Sequence, residues 1–330
     1  MLCSDLGILV FYTRASVVNY NDKENKTYKT MTISMPLVET SYPDQYICFA
    51  HPIEDIDESY VLSSSTKADR SVVHHVATGV CGEPASSQSI WDCTHGQGKT
   101  CKGDAVNFGG WDEFSKKNGV FEFPKDVSLM VGGKSKLKYF IVEIHYMDPV
   151  RNPSVSAANV TLTFTKKPTK YNYQTYSLLN GGFIPGNTEK GFFSDVACEW
   201  NRPPAYAYRY FVHTHHYGIL VEGFLIRNNS LTLIGSQLSM EKKRDLYDVP
   251  GGPLEIKQGD ILAARCLYLN KNNQPVKFGM SEGEEMCNFQ IDIGYEPQYE
   301  DNFKRPPACM TESPIFNFCE HSETLGLCSK

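Results

Sequence analysis

The sequence has no run of 18 or more apolar residues and no long run of lysine or arginine. The first absence excludes a helix that spans a bilayer. The second, together with a formal net charge of −6, argues against a nucleic-acid-binding protein, which needs a basic surface for phosphate contacts. No internal repeat or low-complexity segment is present. The 330 residues are enough for two domains of ordinary size.

The cysteines also lack one pattern, since none of the eleven belongs to a C-x-x-C pair. Scattered cysteines favour disulfides over zinc and indicate an oxidising compartment. Three glycosylation sequons, at Asn25, Asn159 and Asn228, agree with that compartment. Residues 6–12, LGILVFY, resemble the apolar part of a signal peptide, but Asp5 stands where a positive charge is usual. We expect a secreted or secretory-pathway glycoprotein, and the presence of a leader stays open.

Alternation of apolar and polar residues is the dominant pattern wherever a pattern is clear. Such alternation is typical of strands with one buried face. No segment has a convincing helix of three turns, and we therefore predict an all-β protein built from β-sandwiches. The segments that carry the pattern are residues 136–146, 159–165, 218–235 and 287–295.

A domain boundary is expected near the middle of the chain. Residues 166–174 follow an alternating segment and form a charged, proline-containing linker of ordinary length. We predict an N-terminal β-sandwich domain at residues 1–167 and a C-terminal one at residues 168–330.

Histidines are few and clustered, with three of the nine in the stretch VHTHHYG. Residues two apart on a strand face the same side, so His213 and His215 are candidates for one metal ion while His216 points elsewhere. The alternative is a pair of packed or surface imidazoles. His74 and His75 are adjacent and would face opposite sides of a regular strand. They reach one ion only at a strand end, at a bulge or with a bent backbone.

One further residue completes each group. His145 ends the alternating segment that closes with IHY and is a candidate third ligand for the first pair, although a lone histidine there is usually an edge residue. Met286 stands beside Cys287 at the start of another strand, where a methionine is usually part of the core. Two imidazoles and a soft thioether suit Cu(I) and not zinc or magnesium. Three histidines at one site and two histidines with a methionine at another indicate a two-copper redox protein.

Taken together, these motifs resemble the copper type II, ascorbate-dependent monooxygenase family in their order and spacing, over roughly residues 31–312. TLIG and GDILAARC are similar to the peptidylglycine α-hydroxylating members rather than to the dopamine or tyramine β-monooxygenases. The motifs are HH (74–75), EIHY (143–146), VHTHHYG (212–218), TLIG (232–235), QGDILAARC (258–266) and EEMCN (284–288).

The resemblance implies two jelly-roll-type β-sandwich domains that face each other across a cleft. It implies an electron-transfer copper in the first domain and an oxygen-binding, catalytic copper in the second, with ascorbate as reductant. A peptide or small-molecule substrate, O2, no nucleic acid and a monomer are expected. The implied ligands of the first copper are His74, His75 and His145. Those of the second are His213, His215 and Met286.

Four disulfides are also implied by the resemblance. The family's bridge from an N-terminal cysteine into the loop after the His145 strand has no partner here, because residues 147–159 contain no cysteine. Cys3 therefore stays unassigned, and Cys319 and Cys328 are candidates for a local pair. The implied bridges are Cys48–Cys93, Cys81–Cys101, Cys198–Cys309 and Cys266–Cys287.

The substrate side departs from the peptidylglycine pattern. In those enzymes, an arginine two residues before the H-x-H motif and a tyrosine four residues after the ligand methionine bind the substrate's terminal carboxylate. In this sequence the arginine position is Phe211 and the tyrosine position is Gln290. Arg209, on the same strand face, is either a relocated carboxylate ligand or a structural arginine. Asn288 matches the family's substrate-side asparagine. It shares a face with Gln290 and Asp292, which is either a substrate wall, with Asp292 suited to a cationic amine, or a solvated surface.

The leading hypothesis is hydroxylation of the α-carbon of the C-terminal glycine in glycine-extended peptides, the first step of peptide C-terminal amidation. Almost all of the chain matches the monooxygenase core, so we expect a separate lyase to complete amidation. One alternative is a hydroxylase of a small amine, like dopamine or tyramine β-monooxygenase. The other is a copper-binding protein without turnover.

Overall fold

The structure, a computed structural model, describes residues 16–21, 27–53, 57–94, 100–112, 118–155, 158–238, 245–279, 283–303 and 308–318. The chain divides into two compact units, Met1–Lys170 and Tyr171–Lys330, three residues beyond the boundary expected from the sequence. Each unit is built from sheets whose strands pair antiparallel, except that β22 pairs parallel with β12 in the second unit. The all-β prediction is confirmed. Residues 6–12, Asn25, Cys3, Cys319 and Cys328 lie outside the described residues.

The first unit contains two sheets. One has the strand order β1-β2-β11-β4-β9 with β8 beside β4, and the other has the order β6-β3-β10-β5-β7. A short 3₁₀ helix, Pro153–Val155, precedes β11. The strands are β1 (Ser16–Asn21), β2 (Thr27–Ser34), β3 (Gln45–Pro52), β4 (Ser59–Ala68), β5 (Val73–Cys81), β6 (Ile90–Asp92), β7 (Ala105–Asp112), β8 (Val120–Glu122), β9 (Val127–Val131), β10 (Tyr139–Tyr146) and β11 (Ala158–Thr165).

The second unit also contains two sheets. One has the order β12-β21-β14-β17, with β18 beside β14 and with β20 and β22 beside β12, and the other has the order β13-β19-β15-β16. A 3₁₀ helix, Pro297–Phe303, follows β21. The strands are β12 (Tyr171–Ile184), β13 (Phe192–Glu199), β14 (Ala205–His213), β15 (Gly218–Arg227), β16 (Ser230–Leu238), β17 (Tyr247–Asp248), β18 (Leu254–Ile256), β19 (Ile261–Tyr268), β20 (Val276–Lys277), β21 (Asn288–Tyr295) and β22 (Ala308–Ser313).

In strand β10, alternate side chains point either toward the other sheet of the first unit or away from it. Phe140 points inward and packs against Phe164 of the other sheet, with ring centroids 6.0 Å apart. Alternate residues point to opposite faces, so Ile141 and His145 lie on the outer face. There Ile141 belongs to a small buried cluster with the Cys48–Cys93 disulfide. The outer face of this sheet is therefore covered locally by disulfide-linked segments.

In the second unit, two glycines let aromatic rings lie between the sheets. Tyr210 of β14 and Phe289 of β21 are stacked with centroids 5.4 Å apart, and both are buried. A Cβ at Gly223 would overlap the Phe289 ring, and a Cβ at Gly235 would overlap the Tyr210 ring. Gly235 is the glycine of TLIG, so this motif supports the strand that ends at His213.

Among the described residues, no helix has the length and apolar character needed to cross a membrane.

Candidate metal centres and the adjoining polar face

A β-bulge brings three histidines of the first unit together. His75 lies opposite His145 in the β5–β10 ladder, whereas the next pair is Val73 with Tyr146. His74 is therefore the extra residue, and a bulge turns its side chain out of the normal alternation. The ligand nitrogens of the three histidines lie within 4.8 Å of one another. A bulge is one of the three arrangements expected for this adjacent pair, and the third candidate, His145, completes the cluster.

Two residues that the sequence did not single out orient His145. Its Nε2 lies 3.1 Å from Oδ1 of Asp44, and Tyr46, opposite it in β3, stacks on the ring at 4.1 Å. With its proton on Nε2 and shared with Asp44, the imidazole presents the Nδ1 lone pair to an ion. Three converging imidazoles fit copper by donor chemistry.

Glu143 lies two residues before His145 and is partly buried beside a disulfide. Its carboxylate and the sulfurs of Cys48 and Cys93 lie within 4.8 Å of one another. Because these sulfurs form a disulfide, the group has no thiolate to offer a metal. Burial raises the pKa of Glu143 to about 7, so its charge changes near neutral pH.

In the second unit, His213 and His215 lie at the end of β14 and in the loop that follows. The expectation that both belong to one strand is wrong for His215, because β14 ends at His213. Their rings still lie close together, edge to face at 74°, with centroids 5.1 Å apart. The Nδ1 of His215 lies 2.8 Å from the carbonyl oxygen of Glu284. Nδ1 then donates to that carbonyl, and Nε2 is the nitrogen left to bind an ion. His216 is exposed.

Met286 lies beside this histidine pair. It comes just before β21, whose first residue, Asn288, is opposite His213. The Nδ2 atom of Asn288 lies 3.4 Å from the sulfur of Met286, and the hydroxyl of Tyr268 donates to the Met286 carbonyl over 2.6 Å. The methionine is half-buried and not part of the buried core. Two imidazoles and a thioether on neighbouring segments are a donor set that suits copper.

Glu285, which the sequence placed in the EEMCN motif without a role, is fully buried next to Met286. Its Oε1 accepts the backbone N–H of His215 and, over 2.9 Å, that of Met286. Its Oε2 accepts the N–H of Tyr217 over 2.7 Å. One carboxylate therefore joins the backbones of two candidate ligands. A local motif could not have revealed this role, because it depends on which loop packs against Glu285.

The polar face next to the second histidine pair ends in a buried ion pair. The Nη2 and Nε atoms of Arg209 lie 2.8 and 3.1 Å from Oδ2 of Asp292, and Tyr173 donates its hydroxyl to Oδ1 over 2.8 Å. Burial and the Asp292 carboxylate raise the pKa of Tyr173 well above 10, so this hydroxyl remains a donor. Asp292 is 1% exposed, and a solvated-surface interpretation is wrong at this position. The contacts of Arg209 are those of a structural arginine.

Phe211 and Gln290 lie opposite each other, between the Arg209–Asp292 pair and the His213–Asn288 pair. Both are half-buried, and the Phe211 ring lies 6.5 Å from the His213 ring, nearly parallel to it. The wall next to the histidines is therefore formed by one aromatic and two amide side chains.

All four implied disulfides are present, and this prediction is confirmed. The bonds are Cys48–Cys93, Cys81–Cys101, Cys198–Cys309 and Cys266–Cys287. The last ties β19 to the residue after Met286.

Comparison with known proteins matches both halves of the chain to one family. Residues 30–153 match the N-terminal domain, and residues 173–311 the C-terminal domain, of copper type II ascorbate-dependent monooxygenases.

Among curated proteins, the chain is similar to peptidyl-glycine alpha-amidating monooxygenase B of Xenopus laevis, with 33% identity over 79% of this chain and 29% of that protein. Peptidyl-glycine alpha-amidating monooxygenase of Mus musculus is 31% identical over 83% of this chain and 28% of its own length. DBH-like monooxygenase protein 2 of Mus musculus is 26% identical over 80% of this chain and 42% of its length. The chain thus spans less than a third of the amidating relatives.

Proposed function

Because this chain belongs to the copper type II ascorbate-dependent monooxygenase family, we propose that it hydroxylates the α-carbon of the C-terminal glycine in glycine-extended peptides. Family membership makes it a monooxygenase that uses copper and ascorbate. The observation that carries the choice of substrate is the 31–33% identity to two peptidyl-glycine amidating monooxygenases across both copper domains. Peptide C-terminal amidation is thus the proposed pathway, with this chain performing its oxidative step.

The proposal assigns one copper ion to His74, His75 and His145 and another to the second unit. The second ion would be held by His213, His215 and Met286. When bound, copper supplies one-electron redox chemistry and activation of O2, and the soft thioether favours Cu(I). The reaction converts one substrate C–H bond, one O2, two electrons and two protons into a hydroxyl group and water. Two ions allow a one-electron donor such as ascorbate to serve this two-electron reaction.

The substrate-binding part of the proposal rests on three side chains beside His213. Asn288 and Gln290 offer amide donors to the peptide or its carboxylate, while Phe211 offers an apolar surface. Arg209 and Asp292 lie next along the same strands and add no net charge to this wall, because each compensates the charge of the other. We therefore propose that a carboxylate is bound through amide donors and with modest affinity.

The test is product formation by copper-loaded protein supplied with ascorbate, O2 and an N-acylated glycine peptide. We expect a product 16 Da heavier, formed in step with O2 consumption, and no product from the His213→Ala variant. Protein that binds copper but never couples O2 uptake to peptide hydroxylation would contradict the proposal. It would favour the copper-binding protein without turnover.

The second candidate is hydroxylation of a small amine. It is favoured by Phe211 and Gln290, which replace the family's carboxylate grip, and by the similarity to DBH-like monooxygenase protein 2. The pairing of Asp292 with Arg209 weighs against it, since that carboxylate is already neutralised. Tyramine and dopamine offered in parallel decide between the two, because a hydroxylated amine without hydroxylated peptide would establish the alternative.

The proposed compartment is the secretory pathway or the exterior of the cell. Four disulfides fit an oxidising environment. Glycosylation and the monomeric state remain predictions, and they are tested by the mass change on deglycosylation and by light scattering of the purified protein.

A further inference from the structure

Glu285 is a buried carboxylate whose oxygens accept hydrogen bonds from backbone amides. It is 0% exposed, and all three of its described amide donors come from the segments of the second histidine pair and Met286. An unpaired buried carboxylate is costly, whereas charge-assisted hydrogen bonds from N–H groups compensate it. A carboxylate is suited to this position because it offers only acceptors.

The segments that Glu285 joins have no regular ladder of their own. His215 lies beyond the end of β14, and Met286 lies before the start of β21. The backbone of Glu285 is itself anchored, because its N–H donates to the Lys277 carbonyl over 2.9 Å and its carbonyl accepts from Gly279 over 3.0 Å. The side chain therefore reaches from a fixed backbone to an irregular loop and sets the position of that loop.

Met286 is held at both its backbone N–H and its backbone carbonyl. Its N–H donates to Glu285 over 2.9 Å, and its carbonyl accepts from the Tyr268 hydroxyl over 2.6 Å. Burial, and secondarily the charge of Glu285, raise the pKa of Tyr268 well above 10, so this hydroxyl keeps its proton. The next residue, Cys287, is bonded to Cys266. Besides the contact of His215 Nδ1 with the Glu284 carbonyl, the Glu285 carboxylate links this fixed point to the loop of His215 through the N–H groups of His215 and Tyr217.

We infer that Glu285 is a positioning residue for the second copper site. Its carboxylate holds the backbones of His215 and Met286 at the separation that lets an imidazole and a thioether bind the same ion. This inference rests on the proposed second copper site and is independent of the substrate. A group that orients metal ligands in this way typically changes metal affinity or activity by 10–100-fold when it is removed.

The decisive variant is Glu285→Gln. Glutamine has the same shape but only one acceptor oxygen, and its NH2 group faces a backbone N–H that has lost its acceptor. We expect copper binding at the second site to weaken by roughly 10–100-fold. X-ray absorption of the Cu(I) protein gives a second readout. Of the two proposed copper sites, only the one with Met286 has a sulfur ligand, and we expect its copper–sulfur scattering to be lost.

Asp260→Asn is the matched control. Asp260 is also buried, at 2% exposure, and it also accepts three N–H groups, one from Lys257 and two from Arg227. Asp260 comes just before β19, and Tyr268, which contacts Met286, is the last residue of β19. Because eight strand residues span roughly 23 Å, Asp260 lies far from the proposed second copper site. This variant should lower the melting temperature and leave both copper ions and the copper–sulfur signal unchanged. Glu285→Asp, which keeps the charge but shortens the side chain, should lose the signal like Glu285→Gln.

The outcomes separate the inference from its premise. Selective loss of the second ion in Glu285→Gln and Glu285→Asp, with the first ion retained, supports the role of Glu285. Wild-type copper affinity and copper–sulfur scattering in a folded Glu285 variant would overturn it. Equal weakening of both ions would also overturn it, since that result describes general destabilisation. Wild-type protein that binds one ion without sulfur scattering would refute the second site, and the inference with it.

Discussion

Breaking the Arg209–Asp292 ion pair should cost stability without changing the preference for a carboxylate substrate. The perturbation is Asp292→Asn, which keeps the shape and leaves the guanidinium of Arg209, 7% exposed, without its anionic partner. Removing one member of a buried ion pair costs about 3–5 kcal/mol. For a unit of this size, 1 kcal/mol corresponds to about 2–4 °C in melting temperature, so the expected decrease is about 6–20 °C. Replacing both members with apolar residues should recover most of the loss.

Calorimetry and denaturant unfolding measure the first effect, and kinetics with two substrates measure the second. A glycine-extended peptide and its C-terminal methyl ester differ only in the carboxylate charge. If Arg209 is structural, Arg209→Gln changes kcat/KM for both substrates by the same factor. An increase in KM of tenfold or more for the acid alone, or a loss of stability below about 1 kcal/mol on breaking the pair, would refute the reasoning.

Three further predictions concern single residues. Glu143→Gln in metal-free protein should flatten the pH dependence of the free energy of unfolding. In the folded protein the pKa of Glu143 is raised from 4.5 to about 7, so the wild-type protein loses about 3 kcal/mol of stability as pH rises through that window. An unchanged slope of stability against pH, measured by urea unfolding, would contradict this. Gly235→Ala should cost about 1–3 kcal/mol by forcing a methyl group into the Tyr210 ring, whereas Gly181→Ala, with no atom nearer than 3.9 Å, should be mild in the same assay. Asp44→Asn should weaken copper binding by the three-histidine site roughly tenfold, because Asp44 contacts Nε2 of His145. Isothermal titration measures this, and an affinity equal to wild type would show that the contact with the exposed Asp44 does not orient the imidazole.

Local sequence was enough for the fold class and for most of the candidate ligands. Alternation in segments such as residues 136–146 predicts strands because side chains alternate between the faces of a sheet, a property of the backbone alone. The resemblance of the motifs to a copper enzyme family supplied what alternation cannot, namely the role expected of each copper ion and the four cysteine pairings. Met286 illustrates this limit, because its chemistry is unremarkable until a histidine pair is placed beside it.

Tertiary structure decided the roles that depend on register and on packing between distant segments. The bulge at His74 follows from the pairing of β5 with β10. The neutralisation of Arg209 by Asp292 follows from their opposition in β14 and β21. Glu285 becomes significant only when a loop 70 residues away in sequence donates to it. Hydrogen bonds of this kind form between whichever groups the fold brings together, so no local pattern encodes them.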